Sequence, residues 1–262
     1  MRSRKLDKVI VNKKQEDLFF FRKFLLIEPQ GSNLDILSSY STVTKFYMSL
    51  QDGYIENNEM KIKNCYALIL AQAIIEKITS GNIKIKADNS FTEDFYISLA
   101  REILHLFHEN DEELVVIYLK QMMHILRSAG IVQNNKRIAT ISCSLSREEL
   151  FIKILKSFWN ETEWKNIFPS SPELAERLFS TRSIFIDFLG EFFIPVDIGD
   201  FIRDFFEMTE IAERDDAFAI SFVEFYLINW MNNFGIVDYE SSLTISKVML
   251  SEYGRKILAL IK

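Results

Sequence analysis

A 26-residue stretch of this chain occurs twice. Residues 130–155 and 235–260 align without a gap at an offset of 105 positions, with seven identities. Gly130-Ile131-Val132 falls on Gly235-Ile236-Val237, and Leu145-Ser146 on Leu250-Ser251. Ile152 meets Ile257, Leu155 meets Leu260, and Ile138 matches Leu243 in kind. A fixed period marks a duplicated structural unit, which constrains the fold more than any single residue. Each copy runs long helix, Gly-Ile-Val, polar turn, alternating extended segment, Leu-Ser, amphipathic helix. Residues 112–158 and 217–262 are therefore expected to share one helix–hairpin–helix plan.

The remainder reads as helix. Eight Gly and four Pro in 262 residues are too few for a turn-rich sandwich, and 48% hydrophobic residues suffice for a core. Helices are expected over Asp17–Ile27, closed by Pro29 and Gly31, and over Thr42–Leu50. Tyr54–Lys63, with Asn57-Asn58, carries a weak hairpin signal. Tyr66–Ile78 is a helix ended by Gly81-Asn82. Ser90 and Glu93 form a capping box opening a helix to about Glu109. Asp111-Glu112-Glu113 begin the next, where the dipole favours acids. It ends at Gly130. Asn134-Asn135 is read as a turn and Arg137–Cys143 as extended. Ser146 and Glu149 form a second capping box, opening a helix to about Trp159. Residues Phe168–Pro172 are the best linker. Helices Pro172–Phe179 and Thr181–Phe193 follow, then a short extended Pro195-Val196-Asp197. Asp200–Met208 and Ala217–Asn233 complete the helices.

This order resembles the winged-helix superfamily. Leu250-Ser251-Glu252-Tyr253-Gly254-Arg255-Lys256-Ile257-Leu258 is similar to the common winged-helix ending of Leu-Thr, Gly-Arg and two aliphatics. It departs from it in Ser251 and in Glu252-Tyr253 before the glycine. The resemblance implies a mainly α fold: a helical N-terminal region followed by two winged-helix-like units with small β-hairpins. The expected division is a basic tail at 1–16, a helical region at 17–90, a first unit at 91–168 and a second at 169–262. Gly53-Tyr54-Ile55, followed by Asn57-Asn58 and a helix, is read as a degenerate third copy.

The formal charge is −6, which disfavours a general polyanion binder. Residues 1–16 carry six cations against two acids, and 187–216 carry ten acids against two arginines. The resemblance implies that an acidic winged helix docks proteins, so a non-catalytic adaptor with a protein partner or a second copy is expected. The alternative is a DNA-binding regulator acting through the first unit. Its contacts would be Lys120, Gln121, His124 and Arg127 on the helix, with Lys136 and Arg137 in the turn, because Lys120, His124 and Arg127 share a face. The second unit's corresponding helix, Ala217–Asn233, has no Lys or Arg.

Glu102-x-x-His105, with His108 nearby, has half of a carboxylate-bridged metal motif. His124 has Gln121 where a second Glu would be needed, so no metal is expected. There is no Gly-x-Ser-x-Gly elbow, phosphate-binding Gly loop or His-Glu-x-x-His, and neither catalysis nor a cofactor is expected. The apolar run at Phe19 is broken by Arg22-Lys23, far short of the ~20 residues a span needs. Cys65 and Cys143 sit in no paired motif, which suits a reducing cytoplasm.

Overall fold

Two long helices of this protein end in the same way, 105 residues apart, and the rest of the fold is arranged around them. The computed structural model describes residues 65–81, 83–106, 111–192, 194–211, 216–241 and 246–261. The elements expected at 17–27, 42–50 and 54–63, and the start of the third copy, lie outside the described residues. The architecture is mainly α, with two small antiparallel sheets of two and three strands.

Helices α1 (Tyr66–Ser80), α2 (Glu93–Ile103, followed by a 3₁₀ turn at Leu104–Leu106) and α3 (Glu112–Ser128) precede strands β1 (Val132–Asn135) and β2 (Ile138–Ile141). Helix α4 (Arg147–Lys156) continues through a π-helical turn, Ser157–Glu161, to the short α5 (Trp164–Ile167). Then come α6 (Pro172–Leu189), β3 (Val196–Asp197) and α7 (Ile198–Thr209). Helix α8 (Asp216–Phe222) runs through a second π-helical stretch, Val223–Ile228, into α9 (Asn229–Asn233). Strands β4 (Val237–Ser241) and β5 (Ser246–Leu250) lead into α10 (Glu252–Ile261).

Local chemistry sets most of these boundaries. The Asp111 carboxylate accepts from the amides of Glu113 and Leu114 and opens α3. Ser146 and Glu149 make both halves of a capping box on α4. Ser171 caps α6 with Pro172 in its first turn. The expected capping box at Ser90 is displaced. Ser90 instead donates to Asp88, and Thr92 caps α2 by accepting from Phe95. The two helices expected over 172–193 are one, because Ser180 and Thr181 donate their hydroxyls back to the carbonyls of Glu176 and Arg177 and the backbone ladder continues.

The duplication extends to individual hydrogen bonds. Gly130 and Gly235 take left-handed φ of 66° and 75°. Their amides reach the carbonyls of Arg127 and Asn232, both at 2.9 Å. The next amides, of Ile131 and Ile236, reach Leu126 and Met231 at 2.9 and 2.8 Å. This is a Schellman stop with its apolar C″ residue buried, and it explains why Gly-Ile-Val recurs. A short extended segment also lies against the second strand of each hairpin. β3 pairs with β5 through Val196 opposite Val248, giving the order β3-β5-β4. Beside β1-β2 a single bridge to Ile138 from Lys84, which precedes the first unit as bounded above, plays that part.

The hairpins differ in register. Val132 pairs with Ile141, whereas Val237 pairs with Leu250. The second hairpin is thus longer, and β5 runs almost directly into α10. In the first unit Ser142 donates to the Gly130 carbonyl and Ser146 caps α4. In the second, Ser251 does both, donating to Gly235 and accepting from Gly254. The shorter path presses the start of α10 onto the chain, so that a Cβ on Gly254 would lie 1.8 Å from the Ile236 carbonyl oxygen. Glu149 holds the aligned position in the first copy, where residues 142–146 give it room. Gly254→Ala should lower the unfolding free energy by about 1–3 kcal/mol. Urea denaturation that finds the variant as stable as the parent would contradict the close approach.

Candidate functional site

Helices α3 and α8–α9 occupy corresponding places in the two units, and they bury part of their surfaces against each other. Gln121, 4% exposed, sits at the centre of this contact. Its Nε2 donates to the Ile167 carbonyl at 2.8 Å, and its Oε1 accepts from the indole N–H of Trp230 at 2.7 Å. The Tyr118 ring meets Trp230 edge-on at 5.8 Å, and Phe158 stacks on Trp230 at 5.7 Å. Phe234 touches Phe151, Phe158 and Trp230. The π-helical turn at 157–161 places Phe158 here, and its first residue, Ser157, donates to the Ile125 carbonyl.

The six side chains expected to touch nucleic acid are therefore not equivalent. Gln121 belongs to the core. Lys120 pairs with Glu93 at 2.7 Å and lies over the Tyr96 ring. Arg127 donates to the Asn89 carbonyl and packs over Phe91. His124 lies between them on the outer strip of α3. Crowding by the surrounding chain, and the neighbouring Arg127 charge, hold its pKa below the usual histidine value. Lys136 and Arg137 are exposed, and they form the two-residue turn of the hairpin at φ 51° and 65°. The turn expected at Asn134-Asn135 is thus two residues further along. Those asparagines lie in β1, and Asn134 Oδ1 accepts the Arg137 amide.

Two lysines not singled out in the sequence join the turn. Lys84 and Lys86 are exposed on either side of buried Ile85. The Ile85 amide donates to the Arg137 carbonyl at 2.9 Å, and the Ala139 amide to that of Ile83 at 3.0 Å. The segment is thereby stitched to β2 next to the turn.

The second unit has a different surface. Its α7 buries Ile198, Phe201, Ile202, Phe205 and Phe206, and turns Asp200, Asp204, Glu207 and Met208 outward. Asp200 is paired with Arg203 at 2.6 Å. Between α6 and the end of α7 lies an open cleft of about 440 Å³, lined by Glu173, Glu176, Arg177, Ser180, Thr209 and Glu210 among others. The exposed strip of α8 and its π-helical continuation carries Phe218, Ser221 and Phe225, with no cation.

Glu102 is engaged by Lys77, His105 is exposed on the 3₁₀ turn, and His108 lies outside the described residues. Among the described residues no group of three or more His, Cys, Asp or Glu is arranged to hold a metal, and no helix is long and apolar enough to cross a membrane. Both cysteines are free thiols, and burial pushes that of Cys65 up to about 12. No family model, curated protein or solved structure matches the chain.

The central bridge makes a direct prediction. Gln121→Met keeps the side-chain length but leaves the buried Trp230 N–H and Ile167 carbonyl unpaired. The cost should be about 2–4 kcal/mol, read from denaturant unfolding followed by tryptophan emission. A variant as stable as the parent would mean that the bridge contributes nothing.

Proposed function

We propose that the chain is a non-catalytic adaptor of two winged-helix-like units, acting in the cytoplasm, whose second unit docks a basic segment of a protein partner. The observation carrying this reading is the outward face of α7. Asp204, Glu207 and Met208 stand at i, i+3 and i+4, so two acids and a thioether share one exposed strip. The acid-lined cleft between α6 and α7 adjoins the end of the same helix. An exposed apolar residue rimmed by charge of one sign suits an amphipathic partner of the opposite sign. The winged-helix part of the reading is supported by the element order, by the short strand β3 beside β5 and by the single bridge of Lys84 to β2. The alternative, a regulator reading DNA through the first unit, has less support. Gln121 is buried, and Lys120 and Arg127 are held by Glu93 and Asn89.

A labelled 18-residue amphipathic peptide with Lys and Arg on one face and Leu on the other, compared with its Glu twin, tests the reading. The basic peptide should bind at least about tenfold tighter, a preference of about 1.4 kcal/mol. Asp204→Lys with Glu207→Lys should remove that preference. No preference in the parent, or one that survives the double substitution, would overturn the docking assignment. A peptide-independent dimer in sedimentation that buries α7 would also overturn it, in favour of a second copy as the partner.

A further inference from the structure

Five cations among the described residues have an acidic partner within 4 Å. Lys77 pairs with Glu102, Arg101 with Glu112, Lys120 with Glu93, Lys165 with Glu163 and Glu176, and Arg203 with Asp200. The edge formed by 83–86 and the hairpin turn breaks this pattern. Lys84, Lys86, Lys136 and Arg137 are all exposed, and none has an ion pair among the described residues. The sequence holds no acid from Ala129 to Arg147 and one, Asp88, from Ile83 to Thr92. Asp88 accepts from the hydroxyl and amide of Ser90, bonds that with nearby Lys86 hold its carboxyl below the usual range. Four cations against one acid leave this edge positive in a chain that is negative overall.

The backbone adds a second, independent observation. A two-residue hairpin turn with positive φ at both positions suits Asn-Gly, which takes that conformation at little cost. Here Lys136 and Arg137 occupy it at φ 51° and 65°. Two long, exposed cations are thus held against local preference at the tip of the hairpin. Beside them the amide side chains of Gln133 and Asn135 are exposed on β1.

We propose that this edge grips the phosphodiester backbone of duplex nucleic acid without reading its sequence. Cations strung along an extended edge and a turn match a line of phosphates, and neighbouring amides can donate to phosphate or sugar oxygens. Sequence reading would need free donors on α3. Gln121 is buried there, and Lys120 and Arg127 are engaged. The proposal is independent of the docking site on the second unit. If both hold, the chain tethers a protein to nucleic acid.

The test uses the full chain and a labelled mixed-sequence DNA duplex, with binding measured from 50 to 200 mM salt. The dissociation constant should be on the order of micromolar at the lowest salt and alike for unrelated sequences, because contacts to phosphate carry no sequence information. Affinity should fall steeply with salt, with a slope of about −3 to −4 for four phosphate contacts. Lys136→Asn with Arg137→Gly should weaken binding about tenfold or more at physiological salt and reduce the slope by about two. The same variant should melt no lower than the parent, because Asn-Gly suits the turn, so loss of binding cannot be put down to misfolding. Lys84→Gln with Lys86→Gln should remove about two further units of slope. Lys77→Gln, at a cation already paired, should change neither. Absence of binding at 50 mM salt would overturn the proposal. So would a slope unchanged in the fourfold variant, which would place the contacts elsewhere in the chain. Sedimentation with phosphatidylserine vesicles that is lost in these variants while duplex binding persists would assign the edge to lipid headgroups instead.

Discussion

The Gln121 amide is the contact on which the arrangement of the two units depends. It satisfies a backbone carbonyl from α5 and the indole N–H of Trp230, 109 residues away in sequence. The bond to Ile167 holds the amide in place within the first unit, and buried Trp230 would lose its partner if the units separated without water reaching the indole N–H. The aromatic rings around it supply the nonpolar area, and the amide fixes which way they meet. One consequence is functional. Tyr118 and Gln121 of α3 and Trp230 of α9 are spent on each other and are not available to an outside ligand. The hairpin edge of the first unit and the outward face of α7 in the second are among the surfaces left exposed.

A duplicated plan also explains why the two units differ where they do. Both helices stop with the same glycine-centred motif, and both following helices are capped by a serine. Between those fixed points the first unit spends residues 142–146 on a connection, and the second spends its residues on a longer hairpin. Length saved between strand and helix brings backbone against backbone at Gly254. The aligned pair Glu149 and Gly254 thus records a difference in hairpin register rather than in the chemistry of the cap.

The repeat, the helix starts at Asp111, Ser146 and Pro172, and the Gly-Ile-Val stops were legible because each is local: a few residues contain both the signal and its cause. The misplaced turn shows the opposite case. Asn134-Asn135 has turn chemistry, but the pairing of Gln133 with Thr140 and Asn135 with Ile138 sets the register and moves the turn onto Lys136-Arg137. The helix break expected near Ser180 failed because hydroxyls of that kind can bond back into the ladder. Gln121 carried no signal of burial, since its partners are distant in sequence. Lys84 and Lys86 did carry one, the alternation Ile83-Lys84-Ile85-Lys86, which is a strand pattern with cations on its outer side. It is four residues long, and only its pairing with β2 makes it part of a surface.

The hairpin edge and the outer face of α7 are opposite in sign, and sign alone separates the ligands they can take. On α7 the acids repel phosphate and attract a basic segment. On the hairpin edge the reverse holds. Surface charges further apart than the Debye length of about 8 Å at physiological ionic strength act largely independently, so the overall charge of −6 does not cancel a local basic edge. Net charge argues against wrapping nucleic acid over the whole molecule, and local charge argues for a contact confined to one edge. The strained Lys136-Arg137 turn points the same way. A turn there for folding alone would be better served by asparagine and glycine, so folding alone does not account for the cations.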